Sequence, residues 1–126
     1  MATILLVDND PLQAHLCKAI LEVRFPEVQR VAYEAEAFCL VEQPQFAAKL
    51  GLVISCQPMP GMGGPAFVAE LHRRMPWVPI LVLGEADEAA EDYAGCEAYF
   101  RPRQVSSKEL LQLTEQMLAQ SKRKTA

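Results

Sequence analysis

The chain has 126 residues, of which 51% are hydrophobic and 22% are charged, and its formal net charge is −4. This length and composition suit a single domain with one hydrophobic core that needs no disulfide or metal to hold it together. The acidic balance gives no reason to expect nucleic-acid or membrane binding, and the lack of a basic leader or a bilayer-long apolar run favours a cytoplasmic protein.

Short apolar runs alternate with segments of helical periodicity along the whole chain. The runs have the length of β-strands and are almost wholly apolar, as expected for strands buried on both faces of a sheet. In chain order, the predicted elements are strand 3–8, helix 11–24, strand 28–33, helix 34–43, strand 51–56, helix 65–75, strand 79–83, helix 86–93, strand 97–100 and helix 106–121.

The first and last helices carry the clearest boundary signals. Asp10 suits the N-cap of the first helix and Pro11 its first position. Ser106 or Ser107 suits the N-cap of the last helix. The apolar residues predicted to face the core are Leu12, Leu16, Ala19, Ile20 and Val23 on the first helix, and Leu110, Leu113, Met117 and Leu118 on the last.

The alternation of strands and helices predicts an α/β fold, a doubly wound parallel sheet with helices on both faces. In such a sheet, ligands bind beyond the carboxyl ends of the strands. Any chemistry is therefore expected among the residues at those ends, which are Asp8, Asn9, Asp10, Cys56, Gly84 and Arg101.

The cysteines are widely spaced and form no pattern typical of a zinc site or a disulfide framework. Cys17, Cys39 and Cys96 are interpreted as small buried hydrophobic residues. Cys56 differs from them because it ends a predicted strand.

Three stretches of the sequence carry a family resemblance: ILLVDNDP, LVISCQPMPGMGG and VPILVLG, with GCEAYFRP matching more loosely. They resemble the response-regulator receiver domain of bacterial two-component signalling. The most specific stretch is residues 59–64, which are similar to the family's "MP-x-M-x-G" loop. The resemblance implies a flavodoxin-like sheet of five strands in the order 2-1-3-4-5, with five helices. The receiver-like domain would cover residues 1–121, and residues 122–126 would be a basic tail or the start of a linker.

The resemblance also implies a chemistry, in which an aspartate takes a phosphoryl group from a histidine kinase beside a bound Mg²⁺. Asp8 matches the first acid of the family's metal pair, and the second falls on Asn9. Asp10 follows and could compensate in part. The resemblance therefore implies no required cofactor and at most a weak residual Mg²⁺ site at Asp8 and Asp10, since Mg²⁺ prefers anionic oxygen ligands.

Three other parts of that chemistry are altered. The phosphoacceptor position falls on Cys56, whose thiol is mostly protonated at neutral pH and is a poor ligand for Mg²⁺. The hydroxyl position falls on Gly84, and the lysine position falls on Arg101 or, without a gap, on Pro102. Tyr99 matches the switch aromatic of the family. The sequence is thus interpreted as a degenerate receiver, or pseudo-receiver.

The function implied is a phosphorelay signalling domain that does not accept phosphate at Cys56 and acts as a protein-interaction module, without enzymatic activity. The expected partner is a protein or a second copy, bound through the predicted fourth helix, fifth strand and last helix. A histidine kinase or an output domain is also implied, and a membrane or nucleic acid is not.

Two alternative functions stay open. One is a weakly active receiver that accepts phosphate at another acid. The other is a redox sensor or small flavodoxin-like enzyme that uses Cys56, with Arg101 as the only cation in reach. The plain structural interpretation of the two acids is that Asp10 caps the first helix and Asp8 pairs with Arg101.

Overall fold

The computed structural model describes residues 2–57, 64–84 and 98–125, with side chains up to residue 120. In chain order, the elements are β1 (Thr3–Val7), α1 (Pro11–Leu21), β2 (Val28–Val31), α2 (Glu34–Val41), α3 (Pro44–Lys49), β3 (Leu50–Cys56), α4 (Gly64–Arg74), β4 (Ile80–Gly84), β5 (Tyr99–Pro102) and α5 (Ser107–Thr125). The predicted helix 86–93 and the loop at 59–63 lie outside the described residues.

The five strands form one sheet in the order β2-β1-β3-β4-β5. Every neighbouring pair is parallel. The predicted fold class is therefore confirmed. Because all strands point the same way, their carboxyl ends meet along one edge of the sheet, where the candidate site residues were expected.

Side chains from the central strands alternate between two cores, one on each face of the sheet. On β1, Leu5 and Val7 belong to the core covered by α2, α3 and α4, and Ile4 and Leu6 to the core covered by α1 and α5. Burying one such side chain contributes about 1.5–3 kcal/mol. The two cores together hold β1 and β3 rigidly, and these are the strands that lead into the candidate site.

The helix α1 packs only in part with the side that the sequence predicted, since Ile20 is partly buried against the core. Its buried residues are Ala14 and Leu21, whereas Leu12 and Leu16 are 67% and 50% exposed. Val23, just beyond the helix, is 76% exposed. The residues that pack against the sheet, Ala14, Cys17 and Leu21, form a stripe beside the predicted one.

The last helix agrees better with its prediction. Ser106 Oγ accepts a hydrogen bond from the backbone N–H of Glu109 at 3.1 Å, which confirms Ser106 as the cap. Leu110 and Met117 are buried, and Leu113 and Leu118 are partly buried against the same core. The backbone stays helical to Thr125, beyond the predicted end.

A glycine at the start of β3 allows α5 to lie close to the sheet. A Cβ atom added to Gly51 would come within 2.8 Å of Leu118 Cδ2 on α5 and 2.7 Å of Ala2 Cβ. Real Cβ atoms do not approach other atoms so closely, so a larger residue would move the helix or the chain start.

Two further predictions need correction or addition. Cys39 is exposed and Cys17 half-buried, so the prediction that Cys39 is a buried hydrophobic residue is wrong, and Cys96 lies outside the described residues. The short helix α3 was not predicted, although Pro44 at its first turn is a start signal.

None of the helices in the part of the chain that the structure describes is long and apolar enough to cross a membrane.

Candidate functional site

The carboxyl ends of β1 and β3 lie side by side at the candidate site. Val7 on β1 is in register with Ser55 on β3, so the next residues, Asp8 and Cys56, are neighbours. Both side chains are buried, with exposed fractions of 2% for Asp8 and 4% for Cys56. The structure thus brings together two of the residues that the sequence singled out.

The buried carboxylate of Asp8 is satisfied by groups of the protein itself. Its Oδ1 atom accepts the backbone N–H of Asp10 at 3.0 Å, and Cys56 lies beside it at the end of β3. The guanidinium of Arg103 completes the set, with its Nη2 atom 3.6 Å from Asp8 Oδ1. A charge as buried as this one needs such partners, because desolvation without them would be very costly.

Arg103 follows the last strand and is positioned by the backbone. Pro102 on β5 lies opposite Gly84 on β4. The backbone N–H of Arg103 donates to the Gly84 carbonyl at 2.9 Å. The buried residue Gly84 therefore contributes its carbonyl to the site, and this hydrogen bond fixes the point from which the Arg103 side chain reaches Asp8.

The arginine expected to pair with Asp8 does not do so. Arg101 is exposed, and its Nη1 atom donates to the carbonyl of Phe100 at 2.8 Å. The expectation that Asp8 pairs with Arg101, and that Arg101 is the only cation in reach, is therefore wrong. In the alignment without a gap, Pro102 takes the family's lysine position at the end of the fifth strand. Arg103 is then the first residue beyond that strand.

A second arginine near Asp8 was missed by the sequence analysis. Arg30 on β2 donates from Nε and Nη2 to the backbone carbonyl of Asp8, at 3.1 and 2.8 Å. Such a fork of two hydrogen bonds fixes the carbonyl from the side of the edge strand. Nothing in the sequence around Arg30 distinguishes it from an ordinary solvent-facing strand residue.

The acid and amide that follow Asp8 are engaged elsewhere. Asp10 Oδ1 accepts the backbone N–H groups of Leu12 and Gln13 at 3.0 and 3.2 Å, which confirms Asp10 as the cap of α1. The Asn9 side-chain amide donates to the carbonyl of Ala32 at 3.5 Å. Both side chains thus have local structural roles.

The thiol at the end of β3 is held in its neutral form. Burial raises the pKa of Cys56 well above its ordinary range, and the negative charge of Asp8 raises it further, against a smaller lowering by Arg103. Burial and Asp8 also raise the pKa of Cys17 to about 11. At neutral pH the Cys56 thiol is therefore protonated.

Two more buried polar residues, also missed from the sequence, flank the thiol. Gln57 Nε2 donates to Ser55 Oγ at 2.8 Å, with both side chains buried. The Gln57 backbone N–H donates to the Leu83 carbonyl at 2.7 Å. These bonds tie the end of β3 to β4 and keep the chain on either side of Cys56 in place.

The residue matched to the family's switch aromatic lies at the surface. Tyr99 on β5 is 42% exposed. Its hydroxyl is 3.4 Å from Gln120 Oε1 on α5 and donates to it. The ring therefore belongs to the outer surface between β5 and α5.

The residues of this site do not fit an Mg²⁺ ion. Mg²⁺ takes near-octahedral oxygen coordination, usually with one or two carboxylates. Here Asp8 Oδ1 already accepts an N–H donor and lies beside Arg103, and Asp10 Oδ1 caps a helix. Among the described residues, no three side chains of the types His, Cys, Asp or Glu are grouped to hold a metal.

Comparison with known proteins gives one family and many similar folds. The family model described as the response regulator receiver domain matches residues 4–99. No curated protein matches the sequence.

Solved structures similar to this one include receiver domains from several microorganisms. A CheY-like response regulator receiver domain protein from Methanospirillum hungatei JF-1 has 21% identity and a TM-score of 0.85, over 98% of each chain. The signal receiver domain of an HD domain-containing protein from Pseudomonas fluorescens Pf-5 has 22% identity and a TM-score of 0.85, over 96% of this chain and 97% of that one. The signal receiver domain of a signal transduction histidine kinase from Syntrophus aciditrophicus has 23% identity and a TM-score of 0.82, over 94% of this chain and 91% of that one.

Proposed function

The chain belongs to the response regulator receiver domain family of two-component signalling, and from that premise we propose that it is a degenerate receiver. It takes no phosphoryl group at Cys56 and acts by binding a protein, without catalysing a reaction. The observation that carries this proposal is the buried edge of the sheet, where the Cys56 thiol lies beside a carboxylate, Asp8, that already has an arginine partner.

Transfer of a phosphoryl group needs a nucleophile in the right protonation state and positive groups around the transferred oxygens. The raised pKa of Cys56, due first to burial, leaves its sulfur protonated. Gly84 has no side chain to donate a hydrogen bond. Arg103 is engaged with Asp8. Each of these features weighs against phosphoryl transfer at the end of β3.

The two alternative functions are less well supported. Asp8 is buried and engaged, and Asp10 caps α1, so neither is a free acceptor for phosphate. A redox sensor or Cys56-based enzyme requires a reactive thiolate, and the raised pKa of Cys56 opposes its formation. An interaction role requires only a folded surface.

The partner is proposed to be a protein, either a kinase or output domain or a second copy of this chain. The surface proposed for it includes β5 and α5; the predicted fourth helix, 86–93, lies outside the described residues. Support for this choice comes from Tyr99, a half-exposed aromatic residue whose hydroxyl is bonded to Gln120. Exposed aromatic residues of this kind are enriched in protein interfaces.

The experiment is incubation of the whole chain with acetyl phosphate and Mg²⁺, followed by intact mass spectrometry. We expect no stable mass gain. The variant Cys56→Asp restores a carboxylate at the end of β3, and we expect it to gain little phosphate because Gly84 and Arg103 remain. A stoichiometric phosphoryl adduct on the unaltered chain would contradict the proposal, and its loss in Asp8→Asn or Asp10→Asn would identify the acceptor.

The choice of surface is tested separately by sedimentation of the unaltered chain and of Tyr99→Ser. A concentration-dependent dimer that is weakened by Tyr99→Ser would support self-association through β5 and α5. A dimer that is unaffected by this change would exclude that surface as the contact between copies.

A further inference from the structure

We infer that Arg103 is a built-in counterion that takes the place of a divalent metal ion at Asp8. The inference concerns whether a metal ion can bind at Asp8, at the carboxyl end of β1. It goes beyond the proposed function, since it holds whichever protein the domain binds.

The first step is the need of Asp8 for positive charge. Its carboxylate is 2% exposed, and the Asp10 N–H that it accepts is a neutral donor that does not cancel its charge. Arg103, with Nη2 at 3.6 Å, supplies the cation that pairs with this carboxylate. Guanidinium stays charged at every physiological pH, so the pairing is permanent.

The second step is the anchoring of both partners. The Arg103 backbone is bonded to the Gly84 carbonyl at 2.9 Å, and Pro102 before it has a fixed φ angle. On the other side, Arg30 holds the Asp8 carbonyl with two hydrogen bonds of 3.1 and 2.8 Å. The ion pair is therefore built from two restrained chain segments, so that pairing has to order the Arg103 side chain but little backbone.

The third step is competition. A metal ion at Asp8 would have to displace Arg103 or share the carboxylate with it, and two positive charges a few ångströms apart repel strongly at low dielectric. Asp10 is the acid that could have strengthened such a site, but its Oδ1 atom caps α1. Removing Arg103 should therefore create metal affinity that the unaltered chain lacks.

The test compares two arginines that differ in their contact with Asp8. In Arg103→Met the counterion is lost, and in the control Arg101→Met an exposed arginine of equal charge is lost. Each whole chain is titrated with Mn²⁺, followed by paramagnetic broadening of the amide resonances around Asp8. We expect Arg103→Met to bind Mn²⁺ at least about tenfold more tightly than the unaltered chain, because nearby unit charges contribute more than one decade of affinity.

The control should bind Mn²⁺ as the unaltered chain does. Equal affinity of both variants would overturn the inference, and so would broadening around Asp8 in the unaltered chain at submillimolar Mn²⁺. This last measurement needs no variant, so the inference stays open to refutation even if Arg103→Met does not fold. The titration contains no phosphoryl donor, so its failure is separate from a failure of the proposed function.

A double variant shows whether the Mn²⁺ ion that Arg103→Met binds is held by Asp8. If the ion binds at the carboxylate that Arg103→Met leaves unpaired, Asp8→Asn combined with Arg103→Met should lose the gained Mn²⁺ affinity. Retention of that affinity in the double variant would place the ion elsewhere and contradict the inference.

Discussion

The buried edge of the sheet holds a charged residue, and the outer side of α1 holds apolar residues. This is the reverse of the usual distribution, in which charges are exposed and apolar groups buried. At the edge, the charged Asp8 is 2% exposed and paired with Arg103. On α1, the apolar Leu12 and Leu16 are 67% and 50% exposed. Polar groups that could do chemistry are turned inward and satisfied, while apolar groups that could make contacts are turned outward. The comparison teaches that at these two places the burial of a side chain follows its partners and its packing rather than its polarity.

The largest effect is expected where the interior pairing is broken. Arg103→Met leaves the Asp8 carboxylate buried without its cation, and we expect a loss of about 2–4 kcal/mol in the free energy of unfolding. Urea denaturation at neutral pH measures it. The control Arg101→Met, at an exposed site, should stay within about 0.5 kcal/mol. Equal losses in both variants would mean that the ion pair contributes nothing to the interior.

A second effect is expected from the two thiols when the pH is raised. In the unfolded chain a thiol titrates near 8.5, whereas in the folded chain the pKa of Cys17 is about 11 and that of Cys56 is raised well above its ordinary range, both chiefly by burial. Above about pH 8.5 the unfolded state therefore releases protons that the folded state keeps, and stability falls as pH rises.

At about pH 9.5, we expect the free energy of unfolding to be lower than at neutral pH by about 1 kcal/mol per thiol. Urea denaturation at pH 7.5 and 9.5 measures the difference. The double variant Cys17→Ala, Cys56→Ala should remove this part of the pH dependence, and Cys39→Ala, at an exposed thiol, should keep it. Identical pH dependence in the double variant would show that the two thiols are not the groups responsible.

A third, smaller effect is expected at Asp10, which lies between the buried edge of the sheet and α1. Asp10→Ala removes the N-cap of α1, and we expect a loss of about 1 kcal/mol in the free energy of unfolding. Asp10→Asn should restore most of it because the amide oxygen also caps. If Asp10 were instead a metal ligand, the loss would depend on Mg²⁺, so equal losses with Mg²⁺ and with a chelator are the expected result.

The smallest effect is expected on the outer side of α1. Leu16→Ser removes an apolar side chain that is half exposed, and the free energy of unfolding should change by no more than about 0.5 kcal/mol. Thermal or urea denaturation measures it, with Leu21→Ser, at a fully buried residue of the same helix, as the matched contrast. A large loss from Leu16→Ser would mean that the exposed stripe is part of the fold.

Much of the fold could be predicted because it depends on local patterns. Strands such as β1 and β3 are buried on both faces, so their apolar runs are continuous and easy to recognise. The cap at Asp10 depends on residues within three positions of it. The helix α3 escaped prediction because six residues are too few to establish a period.

The candidate site was predicted only in part because its contacts cross the sheet. Asp8 and Cys56 could be placed together, since parallel strands end at one edge. Arg103 and Arg30 could not, because their pairing with Asp8 depends on strand register and on the path of the turn after β5. Likewise, two apolar stripes on α1 satisfy the same periodicity, and only packing against the sheet decides between them.

The charged side chains gathered at the end of β1 have a consequence for long-range electrostatics. Among the described residues at this end, the carboxylates of Asp8 and Asp10 and the guanidinium groups of Arg30 and Arg103 carry two negative and two positive charges. A cleft with surplus acids would concentrate divalent cations from solution, whereas a balanced group has a field that fades quickly with distance. By themselves, these four groups therefore neither attract nor repel a small ion over a long distance.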